Sequence, residues 1–119
     1  MGAYEPKFLY ADVATATTSA AVTGQQALIV SGNGTVGPAT AGSPAFVGVA
    51  AHDAGSGERV AFFPRGKIHV SKASGSITAA ARVDTGAAGT VASGTAGVNN
   101  IGIALTTAAD AADVEWMEV

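Results

Sequence analysis

Short apolar runs alternate with clusters of Gly, Ser, Asn and Pro from Ala27 to the end of the chain. Such runs, separated by turn residues at regular spacing, are typical of β-strands in a sandwich or barrel. Residues 67–71 alternate polar and apolar side chains, which predicts a half-buried strand with His69 on its solvated face. The pattern predicts an all-β protein, a small β-barrel or β-sandwich, with strands at 27–30, 45–51, 58–63, 67–71, 81–83, 89–92, 100–105 and 114–119.

Several motifs occur twice at a nearly constant offset. Gly-Thr-Val at 34–36 returns at 89–91, and Thr-Ala-Gly at 40–42 returns at 95–97. Gly-Val-Ala at 48–50 returns as Gly-Ile-Ala at 102–104 after a slip of one position, and the same shift aligns Val60 with Val114 and Phe62 with Trp116. A repeat of this length is one supersecondary unit that buries its apolar side against its copy. We therefore predict a domain built from two pseudo-repeats, at about 27–72 and 81–119.

Residues 1–25 differ from the rest of the chain. The apolar cluster Phe8-Leu9-Tyr10 precedes a Thr- and Ala-rich run without helical or alternating periodicity. This composition favours an extended N-terminal arm that becomes ordered on a partner, followed by a single β domain at 26–119. The alternative interpretation is that the segment supplies the first strand of the barrel.

Composition limits the partners that the chain can have. The 119 residues fit one domain, and Val, Ile, Leu and Phe are scarce enough that we expect a thin core completed by self-association. Six basic residues and a net charge of −3 argue against a nucleic-acid partner. No apolar run is long enough to span a bilayer, and the N-terminus lacks the apolar stretch of a signal peptide. We therefore expect a protein that is cytosolic when made and binds no membrane.

Two patterns could carry chemistry. Residues 32–37 spell Gly-x-Gly-x-x-Gly after a strand-like run, but the prolines at 38 and 44 exclude the helix that a dinucleotide site needs. His52 and Asp53, with Glu58 nearby, could form a metal site or an acid–base pair. Adjacent residues of a strand point to opposite faces, and their repeat counterparts are Thr106 and Thr107, so a turn is the favoured interpretation. We predict no catalytic residue, metal or cofactor.

Two segments of the chain resemble the head-decoration, or capsid cement, proteins of tailed bacteriophages. The first is residues 48–62 followed by 66–70, with a Gly-Val-Ala strand, an acidic glycine turn and a Gly-Glu-x-Val strand. The second comprises 83–85, 89–91, 100–105 and 114–119. The resemblance implies a β-barrel-like protein, usually a homotrimer, on the outer surface of the expanded capsid, with the major capsid protein as its partner and an arm that reaches neighbouring subunits.

On this reading the chain is a structural virion protein that stabilises the mature head by bridging capsid subunits. The aromatic and apolar side chains predict the contact residues: Tyr4, Phe8, Leu9 and Tyr10 would touch the capsid, and Phe62, Phe63 and Trp116 would lie in the core or a subunit interface. Two alternatives remain. One is another structural module of a fibre or spike, and the other is a small ligand-binding or enzymatic barrel that would use His52 and Asp53.

Overall fold

The structure, a computed structural model, describes residues 13–64, 67–94 and 98–119. These ranges contain β-strands and one short 3-10 turn, Ala87–Gly89, so the predicted all-β class is confirmed. None of the described segments is a helix long and apolar enough to cross a membrane. The strands are β1 (Ala14–Thr18), β2 (Ala27–Gly32), β3 (Thr35–Pro38), β4 (Phe46–Ala50), β5 (Arg59–Phe63), β6 (Ile68–Lys72), β7 (Arg82–Thr85), β8 (Val91–Ser93), β9 (Gly102–Ala104) and β10 (Asp113–Glu118).

The first five strands close into a barrel, which we call the first unit, residues 14–63. Its strand order is β1-β3-β2-β4-β5. β1 closes the barrel because it pairs on both sides: it runs antiparallel to β5, with Ala14 opposite Phe62, and parallel to β3, with Thr18 opposite Val36. The β2–β3 hairpin turns at Gly34, whose φ of 74° is a left-handed conformation that glycine adopts readily.

The last five strands form the second unit, residues 68–118, with the order β6-β10-β9-β7-β8. If β6 to β10 take the places of β1 to β5, this is the strand order of the first unit read around the barrel in the opposite direction. Between β6 and β8, the described residues form one isolated parallel bridge, Ala73 with Val91, where the first unit has the β1–β3 pairing. The second unit is therefore less completely closed than the first.

The duplication is also visible in the packing. Each buried apolar residue of the first-unit core has a buried counterpart 54 or 55 positions later in the second-unit core. An antiparallel bridge beside each core repeats in the same way, Val22 with Ala54 and Ile77 with Ala108. The predicted duplication is confirmed. The paired core residues are Val22 and Ile77, Leu28 and Val83, Val36 and Val91, Ala50 and Ala104, Ala54 and Ala108, Val60 and Val114, and Phe62 and Trp116.

The strand pairings correct two predicted boundaries. The range predicted as an arm, 1–25, contains β1, so the alternative of a first barrel strand describes Ala14–Thr18. The first pseudo-repeat, predicted at 27–72, ends before β6, because Ile68–Lys72 pairs with Asp113–Glu118 in the second unit. The repeated segments are thus 14–63 and 68–118. The remainder of the predicted arm, residues 1–12, lies outside the described residues.

The two units meet along the outer surface of β2 and β4, a contact that we call the junction. Four buried residues of the first unit, Ala27, Ala39, Phe46 and Val49, belong to the core of the second unit. The ring centroid of Phe46 lies 6.2 Å from that of Trp116. The first unit therefore has a core of its own, whereas the second unit completes its core with side chains from the first.

Hydrogen bonds hold the first unit over the gap between β6 and β8. On the β6 side, the Ser71 hydroxyl donates to the Gln25 carbonyl oxygen at 3.0 Å. On the β8 side, the Gln26 side-chain amide donates to the Ala88 carbonyl oxygen at 3.1 Å. Farther along, the Ser43 backbone N–H donates to the Thr85 hydroxyl at 2.9 Å. The junction thus closes the second unit where its own strands do not.

Candidate functional site

His52, Asp53 and Glu58, the side chains best suited to chemistry, all cap backbone turns of the first unit. His52 donates from Nδ1 to its neighbour's carbonyl oxygen at 2.8 Å, which leaves Nε2 to accept from the Ala61 N–H at 3.1 Å. Asp53 accepts from the Gly24 N–H at 2.8 Å. Glu58 accepts from the backbone N–H at position 55. Each side chain satisfies a backbone donor, which is a structural role.

The second unit repeats this arrangement with threonines. The Thr106 hydroxyl accepts from the Glu115 N–H at 3.0 Å, where His52 accepts from Ala61. The Thr107 hydroxyl accepts from the Ala79 N–H at 3.0 Å, as Asp53 does for Gly24. A hydroxyl and an imidazole nitrogen are interchangeable as acceptors but not as metal ligands or bases. The repetition therefore accounts for both residues without catalysis.

The glycine motif at 32–37 is the turn of the β2–β3 hairpin. The chain continues into β3, an extended strand, and not into a helix whose N-terminus could hold a pyrophosphate. Among the described residues, no group of three His, Asp or Glu side chains is arranged to hold a metal ion.

Of the aromatic residues predicted to lie in the core or an interface, two occupy corresponding positions in the two cores and one lies at the junction. Phe62 and Trp116 occupy the same place in the two cores, and both are buried. Phe63 is half-buried at the junction, with its ring centroid 6.3 Å from that of His69. The other candidates, Tyr4, Phe8, Leu9 and Tyr10, lie outside the described residues and stay predictions.

His69, predicted to be solvated, is instead buried with 6% of its surface exposed. Its ring centroid lies 5.0 Å from that of Trp116, and Nε2 is 3.6 Å from a carboxylate oxygen of Glu118. The same buried cluster contains Ser71, which accepts from the Trp116 indole N–H at 3.0 Å. The prediction fails because inward-facing positions of β6 lie under the junction, where Ser71 donates to the Gln25 carbonyl oxygen and the His69 ring lies beside those of Phe63 and Trp116.

As a consequence, the apolar residues of β6 point outward. Ile68 is 60% exposed, and Val70 is also exposed on the same side. Ile68 lies opposite Met117 of β10, and Met117 lies opposite Ile103 of β9, so apolar side chains form a row across three strands. The same face carries the exposed charged residues Glu115, opposite Val70, and Arg82, opposite Ile103, and the exposed ion pair of Lys72 with Asp113 at 2.8 Å.

Comparison with known proteins identifies a family and a solved structure of similar fold. The family model for phage cement proteins matches residues 10–119. The solved structure of the head fibre gp8.5 N base of bacteriophage phi29 is similar in fold, with a TM-score of 0.73 and 19% sequence identity over 90% of this chain and 92% of that chain. No curated protein sequence matches. The chain therefore belongs to the phage cement protein family, which are structural proteins of the outer surface of the phage capsid.

Proposed function

We propose that this protein binds the outside of the mature head and stabilises it by bridging neighbouring major capsid subunits. The observation that carries the proposal is the match of nearly the whole chain to the cement family, together with its unusual surface. Large apolar side chains remain exposed in both units, a property of surfaces made to be covered. They are Val30, Ile68, Val70, Val98, Leu105, Met117 and Val119.

Self-association as a homotrimer would raise the affinity of the protein for the capsid lattice. A single 11.5 kDa chain offers a small contact area, which limits the affinity of one copy. Three joined copies engage three neighbouring surfaces, so that once one copy has bound, the others bind at high effective concentration. A ligand that binds only the expanded lattice stabilises that lattice by mass action.

The proposed capsid contacts are Tyr4, Phe8, Leu9 and Tyr10, which precede the barrel. Because β1 begins at Ala14, deletion of residues 1–12 leaves every described strand in place. The body also supports a structural role for the protein rather than a catalytic one, since the side chains of His52 and Asp53 are used to satisfy backbone donors.

Co-sedimentation with purified expanded and unexpanded heads tests the proposal. The full chain is expected to pellet with expanded heads and to raise their resistance to heating. Deletion of residues 1–12 is expected to weaken binding at least tenfold with an unchanged melting temperature, because two or more aromatic anchors are lost. Deletion of residues 1–3, which spares Tyr4, is the control. Equal binding by both deletions would remove the arm from the proposal, and no binding to either head form would refute the function.

A second candidate function follows from the fold similarity to a head fibre base. In that role the chain would anchor a projecting fibre on the capsid and would not tie its subunits together. Electron microscopy of decorated heads separates the two functions. A cement protein gives compact density at repeated lattice positions and protects the head from heat, whereas a fibre base supports elongated projections without that protection.

A further inference from the structure

The junction consists of one surface from each unit. Because the units are duplicates, each of these surfaces has an equivalent in the other unit. At the junction, the first unit contributes an outer face and the second unit contributes the covered gap. The equivalent outer face of the second unit, and the surface of the first unit that corresponds to the gap, are both left uncovered by the described residues. The two open surfaces can therefore be compared residue by residue with a contact that is already formed.

The open face of the second unit keeps large apolar side chains at two positions that correspond to residues of the junction. Val49, which is buried in the junction, corresponds to Ile103, which is half-buried on the open face. Phe63, beside His69 in the junction, corresponds to the exposed Met117. Both counterparts are large and apolar, although none of the described residues buries them as the junction buries Val49.

The first unit is closed where the second has its gap, and the corresponding surface over β1 and β3 holds a pocket of about 300 Å³. Its lining includes Val30, Gly34 and Phe62. Their counterparts in the second unit, Thr85, Gly89 and Trp116, are all buried and lie along the junction. The pocket of the first unit therefore corresponds to the part of the second unit that the first unit covers at the junction.

One pair of positions links the two open surfaces directly. At the junction, the Ser43 N–H donates to the Thr85 hydroxyl, and Thr85 is 1% exposed. The counterparts are Val98, next to the open face and 54% exposed, and Val30, at the pocket and 51% exposed. Valine stands at both counterpart positions, so the accepting hydroxyl is absent, and the two exposed valine side chains would bury each other if the same contact formed between chains.

We propose that the open face of the second unit docks over the pocket in the first unit of a second copy, so that copies join head to tail through a repetition of the junction. The proposal rests on the self-association proposed above and identifies its interface. Such a contact is heterologous, so it leaves a free face and a free pocket at the ends until a ring closes. Three copies make a ring of six units, in which every unit covers the next.

The repetition is not identical at every position. Arg82, Asp84 and Asn100 stand on the open face where Ala27, Ile29 and Phe46 pack at the junction. Asn100 donates a hydrogen bond to Asp84 at 2.6 Å. A long charged side chain keeps its head group in water and packs its aliphatic stem against apolar neighbours. The contact between copies is therefore expected to be wetter at this edge than the junction within the chain.

Two variants that each disable one side of the contact test the proposal. Val30→Asp places a charge at the pocket, and Val98→Asp places one beside the open face. Both side chains are more than half exposed, so the fold is expected to survive, as a melting curve checks. Each variant alone is expected to sediment as a monomer, with a dissociation constant raised roughly 30-fold or more. Ala20→Asp, in an exposed turn, is the control and should assemble like the wild type.

The equimolar mixture of the two variants is the decisive sample. The Val98→Asp chain keeps an intact pocket and the Val30→Asp chain keeps an intact face, so the mixture is expected to form a heterodimer and nothing larger. Met117→Asp provides a second face variant with the same expected result. A mixture that stays monomeric, variants that assemble like the wild type, or a wild-type chain that is monomeric at 1 mM would each overturn the proposal. These experiments use no capsids, so a failure of capsid binding is seen separately.

Discussion

Substitution of Gly102 by Ala provides a direct test of the repeated Gly-Val-Ala and Gly-Ile-Ala motifs. Gly102 lies on β9 opposite Glu118 of β10. A methyl group added to its Cα would overlap the backbone carbonyl oxygen of Met117 and would lie 2.7 Å from Cε3 of Trp116. Trp116 is fully buried and cannot turn away. The strands can accept the methyl group only by moving apart.

The expected cost follows from these contacts. Inserting a methyl group into a packed interior costs about 1–3 kcal/mol, and an overlap with backbone belongs at the upper end of that range. Alanine also lowers the entropy of the unfolded chain relative to glycine, which returns about 0.4–1 kcal/mol. We therefore expect the free energy of unfolding to fall by about 2 kcal/mol. For a urea dependence of about 2 kcal/mol per molar, the unfolding midpoint falls by about 1 M.

Urea titration followed by tryptophan fluorescence measures this effect, because the chain has one tryptophan and it lies beside Gly102. All variants are compared at one protein concentration, since self-association contributes to apparent stability. Gly48→Ala is expected to behave like Gly102→Ala, since its methyl group would overlap backbone and approach Phe62 to 2.8 Å. Gly24→Ala, with its nearest contact at 3.4 Å, is the control and should change stability by less than about 0.5 kcal/mol. A similarly small effect of Gly102→Ala would refute the reasoning.

Two further predictions concern hydrogen bonds that the duplication changes. Ser71→Ala leaves the buried Trp116 indole N–H without its acceptor and is expected to cost about 1–3 kcal/mol in urea unfolding. Ser71→Ala combined with Trp116→Phe recreates the first-unit pair of Ala16 and Phe62, and a double mutant that loses as much as the two single changes together would contradict this account. His52→Thr should unfold within about 0.5 kcal/mol of the wild type, because a hydroxyl serves the second unit in that place, whereas His52→Val should lose about 1 kcal/mol. Equal stabilities of the two His52 variants would show that its acceptor role is unimportant.

The sequence predicted the features that depend on spacing. The motifs around Gly48 and Gly102 repeat because at both positions two strands approach closely over an aromatic ring. Only glycine leaves enough space there, so the requirement is visible in the sequence. The positions that pair Phe62 with Trp116 follow from the same offset. The turn role of His52 and Asp53 could also be predicted, because the repeat shows which side chains replace them.

The sequence failed where burial does not depend on hydrophobicity. β1 has only Ala and Thr, yet it is a barrel strand, because small side chains suffice where Phe62 of the facing strand fills the interior. The inward face of β6 was predicted wrongly, because His69 and Ser71 are polar but lie under the junction, where Ser71 bonds to Gln25 and the His69 ring contacts Phe63. The predicted contact residues in 1–12 are still untested.

The second core contains residues of both units, whereas the first, among the described residues, contains those of the first unit alone, and this difference has a consequence for folding during synthesis. The core of the first unit contains no described residue of the second, so we expect the first unit to fold while the ribosome is still adding the second. The later half has no finished interior until Phe46 and Val49 are presented to it by an already folded surface. The two units have similar folds but are expected to fold one after the other, with the first unit providing the surface on which the second folds.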